Sequence, residues 1–144
     1  MKTCMITIAL LLCFNTFCQQ PKPEPIVAAV LIAEAGGEGV ESMQCVANVI
    51  QHRAKERHIS SRAVVLQPKQ FSCLNGVAES KLIETSKQHP LWQKALALSS
   101  GTVPDITGGA TFFYAPKSMK DGPPKWAAHM RITRTIKNLV FLSP

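Results

Sequence analysis

Residues 26–41 read IVAAVLIAEAGGEGVE, and residues 26–35 of that stretch are apolar except for Glu34. Ala, Leu, Ile and Val without Gly or Pro over that length predict a buried helix rather than a strand. Pro25 suits its first turn. Gly36 and Gly37 are expected to end it, because glycine takes the left-handed geometry that closes a helix. Glu34 then shares a stripe with Val27, Val30 and Leu31 at helical spacing. Partial burial disfavours its charged form. The negative end of the helix dipole disfavours it too. A carboxyl still protonated near neutral pH is what a general acid needs to protonate a leaving-group oxygen. The competing expectation is a structural glutamate whose head reaches solvent or an arginine such as Arg53.

The rest of the 144-residue chain fits one domain behind an N-terminal extra. Residues 1–18 carry Lys2 and a short apolar core, the pattern of a secretory leader, and a lipid anchor on Cys18 is a weaker alternative. Residues 19–25 (QQPKPEP) form a proline-rich spacer, and residues 26–144 form the folded domain. No later segment is apolar and long enough to span a membrane, so an exported, soluble, monomeric protein is expected. Cys45 and Cys73 remain outside the leader. In an exported protein they invite a disulfide, and two buried thiols are the alternative. Neither has metal-ligand spacing with a histidine, so no metal is expected, and no cofactor is implied. The net charge of +7 suits an anionic partner such as a wall polymer or membrane surface. The positive charges form no run and are not interleaved with aromatics, which argues against nucleic acid.

Further helices are expected over residues 40–55, 62–66 (capped by Ser60 or Ser61), 78–87 and 90–100. In the second, Asn48 falls on the polar side, between the apolar positions. Glu38 and Glu41 sit at its start, where the dipole favours acids. Glu38 is also four residues from Glu34 across the glycine turn. Residues 110–115 (ATFFYA) and 135–142 (TIKNLVFL) predict two strands, paired antiparallel. The fold class is α+β, mostly helical with a small antiparallel sheet.

Six motifs in order resemble the SleB-type cell wall hydrolases, the spore cortex-lytic enzymes: AEAGGEG (33–39), VANVIQHR (46–53), QPKQFSC (67–73), TGGATFFYAP (107–116), PKWA (124–127) and TIKNLVF (135–141). The resemblance implies a lysozyme-like catalytic domain that cuts peptidoglycan glycan strands. It implies Glu34 as the catalytic residue and Glu38 as a second or orienting acid. Gln70, Phe71, Tyr114 and Trp126 match family positions expected to line the sugar groove, and packing is the alternative for each. The chain departs from the family at Phe112, Ala115, Leu139 and Leu142, where His, Asn, His and Tyr are usual. The expected chemistry is a lytic transglycosylase cutting between N-acetylmuramic acid and N-acetylglucosamine. A hydrolytic muramidase with a partner carboxylate (Glu38 or Asp105) and a non-catalytic wall-binding module are the alternatives.

Overall fold

A computed structural model describes residues 22–101 and 103–144. The expected leader, Cys18 and the first part of the spacer lie outside the described residues. Among the described residues no helix is long and apolar enough to cross a membrane.

The first helix, α1 (Pro25–Ala35), is buried from Ile26 through Leu31. A helix apolar on every side must be surrounded, and α1 is the central element. Packed against it are α2 (Val40–Arg57), α3 (Ser61–Val65), α4 (Glu79–Ser86) and α5 (Trp92–Leu98). The Ser60 side chain caps α3, accepting from the Ala63 N–H at 3.1 Å. Trp92 is buried in the core.

The glycine bend differs from expectation. Gly36 is right-handed helical (φ −58°, ψ −39°), residues Gly36–Glu38 form a 3₁₀ turn, and the left-handed residue is Gly39 (φ 95°). Gly36 is closely packed instead. A Cβ there would lie 3.3 Å from the His89 ring.

The sheet has three strands, not two: β1 (Phe112–Tyr114), β2 (Arg131–Ile136) and β3 (Leu139–Ser143), in the order β1-β3-β2, all antiparallel. The expected strand over 135–142 is a hairpin whose turn is Lys137–Asn138. Lys137 takes φ 47° there, a left-handed turn made without glycine. The central strand β3 pairs Phe112 with Leu142, Phe113 with Phe141 and Tyr114 with Val140. It is buried from Leu139 to Leu142, which explains its unbroken apolar run.

Asn48 is also a correction: it is buried, not solvated. Its amide donates to the Pro104 carbonyl at 3.0 Å and accepts from the Ile106 N–H at 3.0 Å. His52 bonds the Ala110 carbonyl at 2.7 Å, and Arg53 Nε donates to the Thr111 carbonyl at 2.7 Å. One face of α2 thus fastens the chain leading into β1.

Candidate active site

The helix that forms the core also delivers the acid. Glu34 sits one residue before the end of α1, where the helix leaves its neighbours and reaches a cleft of about 490 Å³. That volume falls in the range of small-ligand sites. Gln70, Ser72, Cys73, Tyr114, Trp126 and Arg53 also line the cleft. Glu34 is the one carboxyl among the described residues that do so.

Burial pushes the Glu34 carboxyl above its ordinary range, and a hydrogen bond from the Cys73 thiol pulls it partly back. Arg53 does not neutralise it. Its guanidinium donates to Thr111 and, at 3.4 Å, to the Gln70 side-chain oxygen, and it lies between the rings of Phe71 (5.9 Å) and Phe112 (5.4 Å). Burial lowers its pKa to about 10, with Arg57 adding repulsion and Glu56 opposing, so it stays cationic at neutral pH. The described residues include no ion pair to Glu34.

The structure brings Gln70, Tyr114 and Trp126 to the cleft with Glu34. Trp126 comes from a 3₁₀ segment, Lys125–His129, and is 43% exposed. It meets Tyr114 edge-on at 6.1 Å and Phe112 at 5.5 Å. Its remaining face is free to stack on a ring.

Phe71 does not join them. It is buried, 6.5 Å from the Phe113 ring, and its open side lines a separate depression with Val65, Leu66 and Pro68. Its role is to anchor the loop whose next residues, Ser72 and Cys73, face the cleft. Glu38 is not a lining residue either. It belongs to the 3₁₀ turn, and its carbonyl accepts from Ser42 Oγ and from Lys137 Nζ, tying the bend to the hairpin. Asp105 folds its own loop. It accepts from the Thr107 N–H (2.8 Å), the Thr107 hydroxyl (2.7 Å) and the Gly109 N–H (2.9 Å), with His52 at 3.6 Å. Burial raises its pKa, but these partners together outweigh that and lower it.

Cys45 and Cys73 are free thiols, not a disulfide. Cys45 is in the core on α2, near Arg134, Glu41 and Asp105, whereas Cys73 faces Glu34. Of the four departures, Ala115 and Leu139 line the cleft. Phe112 packs on Arg53 and Trp126, and Leu142 is buried opposite it. Sequence reading missed Cys73 as a cleft residue, and it missed Arg53 as a held cation in the cleft wall. The only local sign of the former was its place two residues after the buried Phe71.

The mostly helical α+β domain thus presents one half-buried carboxyl, at the end of its central helix, in the same cleft as Tyr114 and Trp126. The chain belongs to the cell wall hydrolase family, whose model matches residues 37–142. That span begins three residues after Glu34. Two solved structures share the fold. The catalytic domain of the Bacillus cereus SleB protein is 20% identical, with a TM-score of 0.61 over 83% of this chain and 88% of that one. The catalytic domain of the germination-specific lytic transglycosylase SleB from Bacillus anthracis is 20% identical, with a TM-score of 0.65 over 90% and 98%. No curated protein sequence matches the chain.

Proposed function

We propose that this protein is an exported lytic transglycosylase that cuts the bond between N-acetylmuramic acid and N-acetylglucosamine in peptidoglycan, with Glu34 as its acid and base. Membership of the cell wall hydrolase family supports the substrate. The observation that carries the mechanism is the single half-buried carboxyl in the cleft. Protonated Glu34 donates its proton to the glycosidic oxygen as the bond to muramic acid C1 breaks. The cation-like C1 is then attacked by the C6 hydroxyl of the same sugar, and the Glu34 carboxylate takes that proton back. Every proton is accounted for and no water is consumed, so a second carboxylate is not required. A hydrolase would need one to activate water or to form a glycosyl ester. Glu38 and Asp105, the alternative partner acids, do not line the cleft, and the Asp105 carboxylate is held by the Thr107 and Gly109 N–H groups.

The lining suits the substrate. Sugar rings offer apolar faces to Tyr114 and Trp126 and hydroxyls to Gln70 and Ser72. Arg53 and the exposed Lys69, which also lines the cleft, suit an anionic polymer. The leader pattern of residues 1–18 supports export to the wall. The test is mass analysis of muropeptides released from purified peptidoglycan. Anhydromuramic ends, one water lighter than reducing ends, are expected. Reducing ends alone would replace this reading with a hydrolytic one.

A further inference from the structure

Arg53 is a cation buried without a counter-ion. It is only 8% exposed, yet among the described residues no carboxylate pairs with it. The inner side of its guanidinium is held firmly. Nε donates to the Thr111 carbonyl at 2.7 Å, and the rings of Phe71 and Phe112 lie 5.9 and 5.4 Å away. The outer edge is engaged much less. Nη1 donates to the Gln70 side-chain oxygen at 3.4 Å, well beyond the ~2.7–2.9 Å of a good charged hydrogen bond. Nη2 has no hydrogen-bond partner among the described residues. That nitrogen still reaches solvent, and the open space that Arg53 lines is the cleft that holds Glu34. Burial of a charge is costly unless something pairs with it. We propose that Arg53 binds a carboxylate carried by the muramic acid whose glycosidic bond is cut, with Lys69 as a second cation at the rim.

Lys69 supports the assignment from a separate observation. It stands third in the turn of residues 67–70, behind Pro68, and the Gln70 N–H closes that turn on the Gln67 carbonyl at 3.2 Å. Its φ is 61°, a left-handed conformation that glycine takes without strain. A lysine kept there at a cost to the turn, exposed and lining the cleft beside Gln70, points to a use for its charge. While Glu34 is protonated, as the proposed reaction requires, the described cleft wall carries two cations and no anion. A carboxylate fits the guanidinium edge, because its two oxygens match two N–H donors. On the polymer, muramic acid bears a lactyl carboxyl, free or extended by a peptide arm with carboxylates of its own. N-acetylglucosamine bears neither. The carboxyl hangs from the same ring as the C1 whose bond breaks, so Glu34 and Arg53 read two parts of one sugar. A strand shifted by one sugar sets N-acetylglucosamine there and leaves Arg53 unpaired, and a site built around a polar contact rejects a ligand that lacks it. Arg53 thereby selects the bond on the reducing side of muramic acid.

This inference rests on the proposed substrate, and the experiment separates the two. Binding is measured by calorimetry on the protein carrying Glu34→Gln, so that the probes survive. The probes are tetrasaccharides of alternating N-acetylglucosamine and N-acetylmuramic acid. One has free lactyl carboxylates, one has peptide arms attached, and one has its lactyl carboxyls capped as neutral methylamides. At least one acidic probe is expected to bind roughly tenfold to a hundredfold tighter than the methylamide, the worth of one charged hydrogen-bonded contact. Preference for the arm-free probe assigns the carboxylate to the lactyl group, and preference for the armed probe assigns it to the arm. Arg53→Lys keeps the charge but loses the fork, and Lys69→Gly suits the turn. Each should bring the ratio of acidic to neutral affinity toward one. Equal affinity for all three probes overturns the proposal without any change to either cation. A preference that survives both substitutions puts the carboxylate elsewhere and overturns it too. An acidic preference in a protein whose wild type releases no muropeptides upholds the carboxylate site and removes the proposed reaction. Anhydromuramic ends released by a protein that binds all three probes equally do the reverse.

Discussion

Glu34→Gln separates the two things proposed of this carboxyl: that its burial costs the fold stability and that it serves the reaction. The amide is nearly the same size, so the packing at the end of α1 is kept. What is lost is the proton. A positioned general acid or base contributes about 10²–10⁴-fold, and in the proposed reaction Glu34 acts in both steps with no other carboxyl in the cleft wall to replace it. Release of muropeptides should therefore fall by at least about 10³-fold, equivalent to roughly 4 kcal/mol of transition-state stabilisation. Stability should move the other way. The folded pKa of Glu34 is raised by burial above its ordinary 4.5. Its contribution to the fold is then fully present below that value and is lost as pH rises through the folded pKa. Glutamine has no such loss. The melting temperature of the variant should match wild type near pH 4 and exceed it increasingly as pH rises, by a few degrees at the plateau. The assays are muropeptide release at fixed pH and thermal unfolding across pH 4–9. Activity within tenfold of wild type would refute the catalytic role. A variant that melts below wild type at every pH would refute the burial argument.

Three other outcomes follow from the same geometry. Trp126→Ala, made in the Glu34→Gln background so that the polymer survives, should weaken binding to insoluble peptidoglycan by about tenfold or more, with the melting temperature shifted by no more than about 2 °C because Trp126 is 43% exposed. Arg53→Ala should destabilise the domain by roughly 2–4 kcal/mol in urea unfolding, since it strands the buried Thr111 carbonyl and empties the slot between Phe71 and Phe112; a change under about 1 kcal/mol would contradict the wall-holding role. Thiol titration of residues 22–144, denatured without reductant, should count both Cys45 and Cys73; a count of none would restore the disulfide.

Much of the scaffold was legible because it is encoded over short distances. An uninterrupted apolar run can only be satisfied by burial on all sides, so α1 was recognisable as a buried helix with Glu34 near its end. Ser60 was readable as a cap because an N-cap bond spans three residues. The hairpin was missed for an equally local reason: its turn uses Lys137 and Asn138 instead of the glycine that usually signals one.

Other features depend on neighbours far away in the chain, and no local pattern carries them. Asn48 has the composition of a solvated helix face, yet it is buried because residues 104–106 fold back over it. Phe71 and Trp126 are both aromatics in polar surroundings. Phe113 and Arg53 close over the first, and nothing covers the outer face of the second, so one became core and the other cleft. Cys73 reaches the cleft that Glu34 lines from a turn that follows the buried Phe71 and packs on α1, a helix distant from it in the chain. Helical and strand periodicity records which side of an element is apolar. It does not record which element covers that side, and that choice, made by packing across the whole domain, decided the composition of the site.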